Sequence, residues 1–163
     1  MLIFALNFLS LAAQMSLEGV TKIGNANYRA SFLFKDSRNT IWMGNGSFIA
    51  NEKRDDRGLY KFENNSWMTV FPTGIFTDIL EWDSLLLVSA YDGLYFFSKF
   101  NYQFDTSLKQ NSCLAVFNSN LVVGTMGNGL FERTLNSYRK IPVIIAGVSY
   151  DSIFLLKADG KNL

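Results

Sequence analysis

One pattern recurs along this chain at a nearly constant interval. Leu121 to Arg133, LVVGTMGNGLFER, is an apolar run, a short polar turn, a Gly-Leu-aromatic step and a second run. The same order appears upstream as LLLVSAYDGLYFF (Leu85 to Phe97). It appears again, opened by an insertion, as IWMGN (Ile41 to Asn45) and GLYKF (Gly58 to Phe62). The glycines of that step, Gly58, Gly93 and Gly129, lie 35 and 36 residues apart. Self-similarity at a period between ~20 and ~50 residues is the signature of a repeat architecture.

Each copy expands into four strand-like segments. In the first, ASFLFK and IWMGN flank the polar hairpin Lys35 to Thr40, and GLYKF and WMTVF flank ENNS. Short Asp, Asn and Ser side chains favour such turns because they bond the local backbone. Pro72, Thr73 and Gly74 then break the chain. The second unit runs from IFTDILEW (Ile75 to Trp82) to YQFDTSL, and the third from SCLAVF (Ser112 to Phe117) to SYRKIPV. A fourth is expected to start at Ile144, with IIAGVSY and DSIFLLKADG as its first two strands.

Four short antiparallel strands per unit predict an all-β fold of β-propeller blades. The count is about three and a half blades, an incomplete or partial propeller. The glycine of each Gly-Leu-aromatic step answers a tight turn that needs either positive φ or a close backbone approach. The runs LLLV and LVV suit strands covered on both faces, with Trp42, Leu86 and Val122 in the core.

Composition narrows the chemistry. The 163 residues are 48% hydrophobic and 18% charged, the make-up of a folded domain. Histidine is absent, which excludes Ser-His-Asp and Cys-His catalysis by this chain. Cys113 stands alone, so neither an intrachain disulfide nor a cysteine-built zinc site is available, and its run CLAVF reads as a buried strand. A net charge of +1 supplies no whole-chain attraction for nucleic acid.

The first 16 residues read as a secretory signal peptide, and residues 17–163 as the partial propeller domain. Met1 to Ala13, MLIFALNFLSLAA, is an apolar run ending in small residues, with cleavage expected near Ala12 or Ala13. It is too short to cross a bilayer as a helix, so no membrane span is expected after signal removal. The alternative is that Leu2 to Leu11 form a helix of the mature protein. Leu17 to Ile23 alternates apolar and polar residues and reads as a strand.

DSRNTIWMGN followed by GLYKFENNSW resembles the repeat of the two-component regulator propellers, whose blades carry a D-x-x-G-N-x-L-W-x-G-T hairpin and then G-L-Y-x-[FY]. The resemblance covers about residues 30 to 160. Val88-Ser89 departs from the family's Gly-Thr pair, which Gly124-Thr125 keeps. In that family such blades form periplasmic sensor domains, and similar blades occur in secreted and surface proteins. The resemblance therefore implies a periplasmic or extracellular location and a sensing role.

Binding is the expected activity, through the face built from loops between second and third strands. The candidate residues are Asn45, Lys53, Arg54, Asp55, Tyr91, Asp92 and Asn128. The links Pro72 to Gly74 and Lys109 to Asn111 border the same face. The tract Glu52 to Arg57 holds three acids and three bases and reads as a solvated excursion or a partner contact. A carbohydrate or peptide ligand, or a protein partner, fits this face, with Tyr91 placed to stack. No catalytic residue, cofactor or metal ligand is expected, because Asp83, Asp92, Asp105 and Asp151 fall in or beside turns where Asp is favoured for backbone bonding. The alternative is a structural array that packs against another chain or self-associates through its open faces.

Overall fold

The computed structural model describes residues 30–45, 57–134 and 137–157. The signal segment, the strand Leu17 to Ile23 and most of the excursion after Asn45 lie outside the described residues. Twelve strands form three four-stranded antiparallel sheets, each in simple chain order. The first sheet is β1 (Ala30–Lys35), β2 (Ile41–Asn45), β3 (Gly58–Glu63) and β4 (Ser66–Phe71). The second is β5 (Phe76–Trp82), β6 (Leu85–Ala90), β7 (Gly93–Phe97) and β8 (Tyr102–Asp105). The third is β9 (Asn111–Phe117), β10 (Asn120–Thr125), β11 (Leu130–Arg133) and β12 (Tyr138–Ile141). They are propeller blades, and none closes into a barrel.

Turn chemistry sets the register. Asn64-Asn65, Asp83-Ser84 and Asn118-Ser119 each take positive φ at both positions. That is the primed two-residue turn whose twist matches the flanking strands, and Asn and Asp tolerate it. The β1–β2 hairpin is longer and is organised by one carboxylate. Asp36 Oδ1 accepts the main-chain N–H groups of Arg38 at 2.9 Å and Thr40 at 2.8 Å, and Asn39 takes φ 67°.

Every first strand carries the same irregularity, a bulge at Ser31 in β1, Thr77 in β5 and Ser112 in β9. All three bulged residues bear a hydroxyl, and each hydroxyl donates to a main-chain carbonyl of the next unit. Ser31 reaches Phe76, Thr77 reaches Asn111 at 3.1 Å, and Ser112 reaches Ile153. Phe76 and Asn111 each stand one residue before a bulge, so Ile153 occupies the same place in a fourth unit.

This corrects the expected start of that unit. Ile144–Ile145 and Val148–Ser149 form a separate, exposed two-stranded hairpin, β13–β14. Ala146 and Gly147, at φ 50° and 80°, turn the run back on itself. The chain rejoins the array later, where Ser152 bridges Met126 and the Ile153 N–H donates to Thr125 O at 2.9 Å. Bulge and backbone bonds, not apolar composition, mark where a blade begins.

The ladders also shift one alignment by a residue. Ser89 pairs with Leu94, as Gly44 pairs with Leu59 and Gly124 with Leu130. Ser89-Ala90 therefore stands in the Gly-Thr place, and Leu87, not Leu86, matches Trp42 and Val122. All four side chains are buried. Alternation along β6 sends Leu86 and Val88 into a core shared with Phe32, Trp42 and Leu59 of blade 1. Leu87 goes into a second core with Leu114, Leu121 and Val123 of blade 3. Blade 2 is thus covered on both faces.

The recurring glycines have two different causes. A Cβ on Gly58 would meet the Phe71 carbonyl oxygen at 2.6 Å, and one on Gly93 would collide with the Asp105 carbonyl. Gly129 is there for its φ of 97°.

Candidate functional site

The antiparallel meander sorts the connections to two ends. The β2–β3, β6–β7 and β10–β11 loops and the links between blades lie at one end, and the hairpins and β3–β4, β7–β8 and β11–β12 turns at the other.

At the loop end the structure brings two expected residues together through a third. Gln110, at φ 60°, donates its main-chain N–H to Tyr91 O at 2.6 Å and accepts the Met126 N–H at 2.9 Å. Its side-chain Nε2 donates to the Tyr91 hydroxyl at 3.3 Å, and its Oε1 accepts from Asn128 Nδ2 at 3.1 Å. Asn128 is seated by Thr125, whose Oγ1 accepts the Asn128 N–H at 3.2 Å and donates to Gly129 O at 2.7 Å. Tyr91, Gln110 and Asn128 form one polar strip across the boundary of blades 2 and 3. The sequence placed Gln110 in a link but carried no signal for its pairing.

The other expected residues fare differently. Asp92 is exposed beside Tyr95, whose phenol is pushed up to about 12 by burial and then by the Asp92 charge. Asn45 is not a surface contact. It ends β2 opposite Gly58, is only 2% exposed, and its Nδ2 has no hydrogen-bond partner among the described residues. Lys53, Arg54 and Asp55 lie outside the described residues.

The turn acids keep to backbone and ion-pair work. Asp83 sits in its hairpin turn at the end opposite Asp92. Asp151 accepts the N–H groups of Gly127 and Gly129 through its carbonyl and pairs with Lys140 Nζ at 2.9 Å. Asp105 accepts from Ser107 N–H at 2.9 Å and the Tyr138 hydroxyl at 3.0 Å, with Arg133 at 3.8 Å. Burial pushes its carboxyl up, but the bonds from Ser107 and Tyr138 and the Arg133 charge outweigh it and hold the group below the usual carboxylate range.

The half-buried Asp78 and the buried Cys113 were not foreseen as coupled. Asp78 accepts the Leu114 N–H at 2.7 Å and the Ile79 N–H at 2.8 Å, tying β5 to β9. Its desolvation exceeds the help of those bonds and raises its carboxyl above the ordinary value. Cys113 is buried, as its sequence predicts, and burial with the nearby Asp78 charge pushes the thiol up to about 11.

At the hairpin end, crevices open between neighbouring blades. The one between blades 2 and 3 is a groove of about 890 Å³ lined by Trp82, Phe96, Gln103 and Arg133. Its cations are spent. Arg133 lies 3.9 Å from the Phe96 ring centroid and pairs with Asp105, while Arg139 pairs with Glu132. Among the described residues no group of three or more Asp, Glu, Cys or His side chains is placed to hold a metal ion. No helix among them is long and apolar enough to cross a membrane. Comparison with family models and with curated proteins finds no match for this chain.

Proposed function

We propose that this chain is an extracytoplasmic β-propeller binding module of the two-component regulator propeller type, which recognises a carbohydrate, a peptide or a protein partner at its loop end. The observation that carries the reading is the Tyr91–Gln110–Asn128 strip. These polar groups are fixed by main-chain bonds on rigid blades, and Tyr91 is 39% exposed at its edge. An amphipathic ring beside oriented amides is the usual equipment for stacking on a ligand and bonding its rim. The role is non-catalytic, in keeping with a sequence without histidine. Export is supported by the apolar run Met1 to Ala13.

The test is a glycan and peptide array probed with the folded chain, followed by Tyr91→Ala and Gln110→Ala. A hit lost in both variants, with unchanged melting, supports the reading. Equal binding by wild type and variants sinks it. Mass spectrometry of the native N-terminus tests export, and an intact Met1 on cytoplasmic protein contradicts it.

A second reading, assembly against another chain, has its own observation. Ile153 occupies a first-strand position, yet Phe154 and Leu155 beyond it are 65% and 82% exposed. Exposed apolar residues on a strand-like segment mark an interaction surface. Light scattering at micromolar concentration separates the readings, since a thermally stable monomer excludes assembly.

A further inference from the structure

The crevice between blades 1 and 2 occupies the same architectural place as the groove between blades 2 and 3, but its charges are arranged differently. It holds about 380 Å³, near the lower bound for small-molecule sites and enough for a one-ring ligand. Its wall includes Arg38, Lys61, Glu63, Lys99, Phe100 and Tyr102. Glu63 is taken by Lys61 at 2.7 Å. Asp36, on the floor, is already bonded by Arg38 N–H, Thr40 N–H and the Trp42 indole. Glu81 and Asp83 line the adjoining hollow, not this one, and Glu81 is held by Ser37 at 2.8–3.1 Å. The Arg38 guanidinium and the Lys99 ammonium therefore have no carboxylate partner among the described residues, although both line both hollows. In the neighbouring groove the two arginines are paired.

The second unusual feature is aromatic. Phe100 is 89% exposed, and Tyr102 beside it is 49% exposed. The turn that presents Phe100 is built, because Ser98 N–H donates to Asn101 O at 2.9 Å and Ser98 Oγ bonds the same residue. Arg38 likewise stands on a hairpin anchored by Asp36. Lys99 Nζ lies 5.2 Å from the Phe100 ring centroid, so cation and ring face the same space. Tyr102 packs one side on Phe71, Tyr95 and Phe97 and leaves about half its surface open. Two cations without a carboxylate partner beside these part-exposed rings match a ligand that is negative at one end and flat and apolar at the other. Ser98 and Asn101 bond each other and Thr40 is buried, which leaves few neutral groups to bind sugar hydroxyls.

We propose that this crevice is a second binding site, separate from the loop-end strip, for a small carboxylate carried on an aromatic ring. The carboxylate lies between Arg38 and Lys99, and the ring stacks against Phe100 and Tyr102.

The experiment is an amide-detected NMR titration of the full chain with benzoate, and with benzamide as the neutral isostere. Saturable shifts at Arg38, Lys99 and Phe100 are expected, with benzamide at least about tenfold weaker, because each lost bond to a charged group is worth that factor or more. Arg38→Gln and Lys99→Gln should each weaken benzoate by about the same factor, and Phe100→Ala should weaken benzoate and cyclohexanecarboxylate unequally, the aromatic ligand more. All three side chains are exposed, so the variants should melt as wild type does. Equal binding of benzoate and benzamide, unchanged affinity in both charge variants, shifts centred on Arg133 and Arg139, or no saturable shift would each overturn the proposal.

Discussion

The Asp36 carboxylate accepts the indole N–H of Trp42 at 3.0 Å across the first hairpin, and both residues are buried. One side chain thereby closes a turn with its Oδ1 and fixes a core ring with its Oδ2. Replacing Asp36 by Ala strands the indole N–H and the buried Thr40 N–H. A loss of about 2–4 kcal/mol is expected from two unpaired buried donors. Asp36→Asn should fall between, since one amide oxygen cannot serve both sides. Chemical denaturation followed by tryptophan fluorescence measures the order.

Asp78 should make stability fall as pH rises just above the ordinary carboxylate range. Its folded pKa is raised above that of a free aspartate, so across that window the folded state holds a proton that the unfolded state has lost. The stabilising protonated form is fully present below that value and is lost as pH climbs through the folded pKa. Asp78→Asn should cost baseline stability, because one acceptor becomes a donor facing an N–H, but it should flatten this slope. Melting of both proteins across mildly acidic pH checks it, and parallel profiles would refute it.

Thr77→Val keeps the shape of the bulged residue and removes a hydroxyl that bonds Asn111 O at 3.1 Å and the buried Ser89 Oγ at 2.9 Å. About 1–3 kcal/mol is expected, because the buried Ser89 hydroxyl loses a partner along with Asn111 O, and Thr77→Ser should restore most of it. Equal melting temperatures for Val and wild type would show that the hydroxyl contributes nothing.

Gly93→Ala should cost about 2–3 kcal/mol, because the new Cβ collides with the Asp105 main-chain carbonyl and only backbone movement relieves it. Gly127→Ala meets open space and bears only the strain of φ 100°, so about 1–2 kcal/mol is expected. Thermal melts of the two variants should rank in that order.

The Cys113 thiol, pushed up to about 11 and buried, should react with a thiol reagent only when the domain opens. Labelling at neutral pH should therefore follow the unfolding equilibrium as denaturant is added. Fast labelling of the native protein would contradict the burial.

Strand order and blade count were legible because the Gly-Leu-aromatic step and the Asp/Asn/Ser turns repeat with the ladder itself. The start of the fourth unit was not, since Ile144 to Ser149 has the apolar content of a strand while its register depends on the Ser112–Ile153 bond, 41 residues apart. The slip at Ser89 has the same origin, because LLLVSA offers several apolar residues and only pairing with Leu94 selects one frame. At the loop end Tyr91 and Asn128 were readable as turn residues. Gln110 was not, because its role comes from a main-chain contact between units. The spare charges of Arg38 and Lys99 were hidden for a related reason, as pairing is decided by which carboxylates the fold has already engaged.

The hydroxyl of each bulge reaches no farther than the adjoining unit, and each of the two cores spans one pair of sheets. Cohesion is therefore nearest-neighbour, and the domain should behave as a short one-dimensional chain of cooperative units. Among the described blades, hydrogen exchange should be slowest in β6 and β7, whose side chains enter both cores. Among the three described sheets the middle one is then the last to open, because it alone contributes to both cores.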